Sequence, residues 1–300
     1  MVLFTPKLNK LLKEPRENQL GVLLSSTLNT LAAHPVILYP LCLYALIQLL
    51  TLEVLYFSAR FPLSHFFAPL IKRLWSETFL HYPFNLVLLP KLFYYAQLPL
   101  YLFVGGFLSA IAIVMIAMVN EDKRVNFRTA ARQASSRYID IVLIALLNFL
   151  AILLISKFYQ FGIYALDFLE RGTPIMKAAH KTLLRSQPYI HLLMGTIVTT
   201  ILAFCLPIIM IERKKFLPAI IQNFKFLSKS ASFIFWIIFI PSLFYIPVLL
   251  FRARTTNVLE LAIPELQVFT IILSIVATMM IDGFILTAVT MHYLHKQEIR

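Results

Sequence analysis

Long apolar runs separated by short polar segments organise the chain. Residues 92–120 carry no charged side chain over 29 positions, and 186–211 and 230–251 are uncharged as well. A hydrocarbon core about 30 Å thick takes roughly 20 apolar residues of helix to cross. Only a helix satisfies every backbone N–H and C=O within one such segment. The pattern therefore predicts an all-α polytopic integral membrane bundle of about six transmembrane helices with amphipathic interfacial helices. Spans are expected near 35–57, 94–119, 139–166, 188–211, 232–251 and 266–291, so that 35–291 forms one six-span domain. It lies between a cytoplasmic N-terminal segment, 1–34, and a short tail, 292–300. Pro35, Pro90, Pro188 and Pro264 stand at or just before run starts, where a missing N–H costs least. Pro241 and Pro247 fall inside the fifth run and predict a kink there. Lys157 interrupts the third, which is expected to cross from Asp140 to about Lys157 and to continue past the headgroups.

The connections between the runs are amphipathic, and interfacial helices are expected near 61–89, 124–138, 174–186 and 213–230. In 124–138, Arg124, Arg128 and Arg132 recur every fourth residue, while Phe127, Ala130, Ala131, Ala134 and Tyr138 share the other side. Such a helix sets its guanidinium groups among lipid phosphates. Segment 213–230 is built alike, with Phe216, Ala219, Ile220, Phe224 and Leu227 apolar and Lys225 and Lys229 four apart. In 174–186, Lys177, Lys181 and Arg185 repeat the basic spacing. The pairs Phe127/Ala130 and Phe216/Ala219 mark a weak internal repeat, an amphipathic helix feeding a membrane hairpin. In 61–89, Phe61, Phe66, Phe67, Leu70, Ile71, Trp75 and Phe79 are apolar, and Lys72 and Arg73 prevent full insertion.

Composition and charge refine the picture. The 300 residues are 60% hydrophobic and 14% charged, against about 25% charged in soluble domains. With the N-terminus inside, Lys and Arg number 16 in the cytoplasmic segments and 10 on the far side, so the positive-inside rule places both termini in the cytoplasm. The net charge of +13 then matches anionic membrane lipid. No basic stretch is interleaved with aromatics in a soluble module, so a nucleic acid is not expected as partner. Cys42 and Cys205 lie in apolar runs and read as small buried hydrophobes. The basic N-terminus leads into a retained anchor rather than a cleaved leader.

Two blocks carry a resemblance. One is Gly105-Gly106 leading through Val119-Asn120-Glu121-Asp122-Lys123 into Phe127–Tyr138. The other is Leu206-Pro207-Ile208-Ile209-Met210-Ile211-Glu212-Arg213-Lys214 followed by Phe216–Ser230. In these the chain resembles the bacterial six-helix membrane proteins of the YciC type, related to the membrane domain of some glycerophosphodiester phosphodiesterases. The resemblance covers about half the chain and implies a bacterial cytoplasmic (inner) membrane location. Residues 58–93 and 158–187 look like insertions relative to that pattern.

Candidate chemistry is sparse. There is no His-Glu-x-x-His, no Gly-x-Ser-x-Gly and no Walker loop, so neither an enzyme nor a cofactor is expected. His292 and His295 share a helix face without a third ligand in view. Asp282 is the exception: 16 uncharged residues precede it and 13 follow. A carboxylate in hydrocarbon costs about 2.5–3.5 kcal/mol, so it should face the bundle or protonate: either it hydrogen-bonds Asn148, Thr196 or Thr199, or it couples a proton or cation or grips a lipid headgroup. Gly283 beside it admits a neighbouring helix. Two roles follow. The first is a structural, assembly or lipid-associated envelope role, with Arg124, Arg128, Arg132, Lys225 and Lys229 on anionic lipid and a membrane-protein partner or second copy. The alternative is a small-solute or ion-coupled transporter using Asp282. A transporter requires several polar residues lining one cavity, and a scaffold a dry bundle packed with Phe and Leu.

Overall fold

In a computed structural model of the chain, residues 16–169, 174–228, 230–254 and 264–298 are described, and every regular element among them is helical. Six runs are long and apolar enough to cross a membrane: Pro35–Ala59, Phe84–Asn120, Tyr138–Ile163, Ser186–Ile211, Ala231–Phe251 and Leu266–Gln297. The chain is a multi-pass integral membrane protein. Its helices are α1 (Arg16–Ala33), α2 (Tyr39–Tyr56), α3 (Ser64–Leu74), α4 (Phe84–Pro99), α5 (Gly106–Asn120), α6 (Phe127–Ser135) and α7 (Tyr138–Leu169). The second half adds α8 (Pro174–Leu202), α9 (Cys205–Ile211), α10 (Phe216–Leu227), α11 (Ala231–Ser242), α12 (Ile246–Arg254) and α13 (Leu266–Glu298).

The second and fourth spans are each made of two helices. A π-helical segment, Leu100–Gly105, joins α4 to α5, and a turn at Ala203–Phe204 separates α8 from α9. After each span the chain reverses through Glu-x-Lys, with the middle residue left-handed: Asp122 at φ 53° and Arg213 at φ 55°. Lys123 pairs back to Glu121, and Lys214 to Glu212 at 2.8 Å. At the first turn the Asp122 N–H reaches the Val119 carbonyl and the Lys123 N–H the Met118 carbonyl, which is a Schellman closure of the helix end. An amphipathic helix then doubles back along the span it has left. Tyr138, just past α6, meets Phe107 in the first turn of α5 with ring centroids 5.6 Å apart. Asn223 of α10 likewise reaches Ile201 and Phe204 at the junction of α8 and α9. The internal repeat is thus a structural one.

These hairpins form a dry inner layer. Ile111, Met115, Ile208, Ile209 and Ile237 are fully buried with Ala130 of α6, Ala219 of α10 and Tyr293 of α13. The layer is closed by a chain of polar contacts between its two reversals. Gln133 donates to the Met210 carbonyl at 2.9 Å, Arg137 to the Arg213 carbonyl at 2.6 Å, and Asp140 accepts from the Phe216 N–H at 3.0 Å. Asp140 thereby caps α10, whose own N-cap residue, Lys215, offers no side-chain acceptor. Helix α1 completes the layer. Its Leu23 and Thr27 are buried, and the Thr27 hydroxyl lies 3.9 Å from the Met291 sulfur. Both ends of the described chain therefore lie at the same end of the bundle as the two reversals. A separate core of Leu52, Leu89, Phe93, Ile271 and Ile275 ties α2, α4 and α13 together in the other layer.

Several elements differ from the sequence reading. The second span begins ten residues early, because Pro90 lies inside α4 rather than at its start. An internal proline costs about 3 kcal/mol, which burial of Leu86, Leu88, Leu89 and Phe93 around it offsets. The expected helix 61–89 shortens accordingly to α3, which exposes Phe66, Leu70 and Leu74 on one face. Residues 174–186 are not a separate helix but the first turns of α8, which continues through Pro188. Within the expected cytoplasmic segment 1–34, Arg16–Ala33 form the packed helix α1, and 1–15 lie outside the described residues. Arg124 falls outside α6, because Asn126 caps that helix, its Oδ1 accepting from the Arg128 N–H at 2.9 Å. The kink in the fifth span is where the prolines placed it, as a 3-10 turn at Leu243–Tyr245.

Candidate functional site

Five spans close a ring: α5 packs on α7, α7 on α8, α8 on α11, α11 on α13, and α13 back on α5. Above the dry layer the ring borders a partly open cavity of about 410 Å³. Its wall is mainly aliphatic, with polar groups from five helices: Ser109, Asn148, Thr196, Thr199, Ser242 and Asp282, joined by the phenols of Tyr101 and Tyr245 and by His191. A mostly apolar pocket with a few convergent polar groups is the usual form of a small-molecule site.

The interruptions of the spans position these groups. Tyr101 lies in the π segment, a form of backbone that recurs at functional sites. Gly105 and Gly106 end that segment. A β-carbon on the first would lie 3.0 Å from the Tyr44 ring and on the second 3.3 Å from Ala145, so their absence lets α2 and α7 close on it. The turn at Ala203–Phe204 follows from Pro207, which has no N–H for the carbonyl four residues back and crowds it. Buried Asn223 repairs that turn: its Oδ1 accepts from the Phe204 N–H at 3.0 Å and its Nδ2 donates to the Ile201 carbonyl at 2.7 Å. Tyr245 sits in the 3-10 turn before Pro247 and lines the cavity.

Asp282 is the middle residue of the 33-residue helix α13. It hydrogen-bonds Tyr245, not the expected Asn148, Thr196 or Thr199. Asn148 donates instead to the Tyr101 hydroxyl at 2.5 Å, and its Oδ1 is buried with no partner. Thr196 and Thr199 donate to the carbonyls of Leu192 and Gly195, each at 2.9 Å. All three nevertheless line the same cavity as Asp282, so the sequence identified the cluster but not its pairings. Gly283 does admit a neighbour, since a β-carbon there would lie 2.9 Å from Leu38. Tyr44, Tyr101 and Tyr245 all lie within electrostatic range of the carboxyl. Nothing in their spacing marked the phenols beforehand.

His191 stands elsewhere on the wall, its Nδ1 3.4 Å from the Ser156 hydroxyl, its Nε2 3.5 Å from Gln187, its ring against Tyr159. His292 stacks on Phe204. Among the described residues no three His, Cys, Asp or Glu side chains come together as a metal site would require.

The basic candidates lie in the other layer. Arg124, Arg128, Arg132 and Lys225 are exposed, and Lys229 lies outside the described residues. Helix α6 turns its alanines inward and presents guanidinium groups, whereas α10 also presents Leu217, Ile221 and Phe224 to its surroundings. Glu212 is the hub of that layer. It accepts from Tyr293, from Gln222 at 2.6 Å and from Gln297 at 2.8 Å. Partial burial pushes its carboxyl up, but hydrogen bonds from Lys214, Tyr293, Gln222 and Gln297 outweigh that and bring it down to about 2. No protein-family model, no curated protein and no solved structure matches the chain.

Proposed function

We propose that the chain carries a small polar solute across its membrane through the cavity at the boundary of the two layers, with Asp282 as the residue that handles charge. The observation behind this reading is the convergence of Asp282, Asn148, Tyr101, Tyr245, Thr196 and Thr199 on one partly open cavity. A structural bundle has no use for a carboxyl left open to an apolar cavity, or for an amide oxygen buried without a partner beside it, since polar groups in an apolar interior are costly unless they are bonded. Interruptions in the second and fourth spans, the equivalent members of the repeat, add support. Paired broken helices meeting at a central site are how many transporters expose backbone and side chains to solute. The location belongs to the same proposal: a bacterial cytoplasmic membrane, both termini in the cytoplasm, in the six-helix family whose pattern the two reversals resemble.

A second reading concerns lipid. The exposed guanidinium groups of Arg128 and Arg132 and the ammonium of Lys225 are suited to anionic headgroups. This accords with a lipid-associated role without requiring one.

Single cysteines at Asn148, Thr199 and Ile111, in a chain with Cys42 and Cys205 replaced by Ala, test the main reading in proteoliposomes. Expected is modification of positions 148 and 199 by a membrane-impermeant thiol reagent from either side, protection by bound solute, and no reaction at 111. Access from one side only contradicts translocation. Access from neither returns the chain to a structural role.

A further inference from the structure

The polar groups on the cavity wall are unequal in kind, and that inequality selects a ligand. The Thr196 and Thr199 hydroxyls donate to carbonyls of their own helix, and Ser242 donates to the Ile238 carbonyl at 2.7 Å. With their protons so used, these hydroxyls present lone pairs to the cavity. The Asn148 amide donates to Tyr101, and its Oδ1 is sealed from the cavity. Asp282 adds a carboxyl, and the tyrosines near it are aromatic rings of the type that attract ammonium groups. The wall carries no lysine or arginine, and its one imidazole has Ser156 and Gln187 beside its nitrogens. An anion would find no cationic partner here, and a neutral acceptor few donors.

We infer that the ligand of this cavity is a small organic ammonium cation with N–H groups to donate, its charge on Asp282, its N–H groups on the threonine and serine hydroxyls, and its apolar body against the aliphatic wall. The inference rests on the cavity being a solute site, as proposed above, and adds the chemical class. A primary amine fits better than a bare metal ion, because most of the wall is aliphatic and Asp282 is its only carboxylate. It also fits better than a quaternary ammonium, which has no N–H for the lone pairs of the Thr196, Thr199 and Ser242 hydroxyls.

The test uses the purified full chain and four probes sharing one aromatic body: phenethylammonium, its N-trimethyl derivative, phenethyl alcohol and phenylpropionate. Binding is read by protection of the cysteine at position 199 and by equilibrium dialysis in detergent. Saturable binding of phenethylammonium is expected, about tenfold or more tighter than the trimethyl compound or the alcohol, as loss of one charge-assisted hydrogen bond implies, with no binding of the carboxylate. Asp282→Asn should abolish the preference for ammonium, and Thr196→Val, a neutral and nearly isosteric change away from the charge, should reduce the advantage over the trimethyl compound. Monodisperse elution and retained helical content certify both variants as folded. Tight binding of the alcohol or of phenylpropionate overturns the ammonium assignment and leaves the solute site standing. Absence of saturable binding by any probe, with position 199 inaccessible, overturns both.

Discussion

The two layers of this bundle use the same two hairpins in opposite ways. In the inner layer, α5 and α9 run against α6 and α10, and side chains such as Ile111, Met115, Ile208 and Ala219 have no exposed surface. In the layer above, the continuations of the same spans separate around a cavity of about 410 Å³ with a carboxyl in its wall. The dividing line is where each helix is interrupted, at Leu100–Gly105 and at Ala203–Phe204. One layer holds the ends of the spans together so that the other can stay open. The difference separates residues that hold the fold from residues free to bind. It also implies that substitutions below and above the line should have different consequences.

Truncation in the dry layer should be the most damaging. Ile111→Ala or Met115→Ala removes a fully buried side chain where neighbours on all sides are packed, and about 2–5 kcal/mol of stability should be lost. Thermal unfolding in detergent would register this. An equal loss on truncating Leu192, a half-buried residue of the cavity wall, would erase the distinction between layers. Asn223→Ala comes next. It strands the Phe204 N–H and the Ile201 carbonyl in the interior, which costs about 1–3 kcal/mol. Because those groups lie at the boundary, the variant should also loosen access to a cysteine at 199, and unchanged labelling there would count against a pinned turn.

Acid should act on the inner layer first. The Glu212 carboxyl stands at about 2 in the folded chain against an ordinary 4.5. Its charge therefore contributes stability that is whole above about pH 4.5 and is lost as the pH falls towards 2. Unfolding followed across that window should show a decline that Glu212→Gln removes. A decline of the same size in the variant would place the acid sensitivity elsewhere. The smallest effects belong to the exposed bases. Changing Arg128, Arg132 and Lys225 together to Gln should leave the bundle folded and weaken retention of anionic lipid by about 1 kcal/mol per residue, as measured by lipid analysis after mild extraction. Unchanged retention would exclude a lipid-binding role for these side chains.

The sequence revealed the spans well because charge is expensive in hydrocarbon, and long uncharged runs have few other uses. Asp282 stood out for the same reason. The layering was much harder to see. The amphipathic helices α6 and α10 carry the composition of interfacial helices, and their alanines give no sign that they fold back onto their own spans. Helix α1 was hidden by its Ser, Thr and Asn residues, although Thr27 and Leu23 are buried. Seven glycines in the whole chain give little sign of broken helices. The breaks use proline instead: Pro207 unmakes the helix at 203, Pro247 at 243, and Pro99 leads into the π segment. Reading each proline four residues upstream would have found two of the three. The pairing of Asp282 with Tyr245 depends on the 3-10 turn and had no signal in spacing.

The division of labour between layers is tested most directly at Asp282 itself. Thermal unfolding and phenethylammonium binding should be measured side by side on the wild-type chain and on Asp282→Asn. The amide keeps an acceptor for Tyr245 and removes only the charge, so the unfolding temperature should hold or rise while ammonium binding is lost. A lower unfolding temperature with binding intact would show that the carboxyl belongs to the scaffold, and would contradict the account.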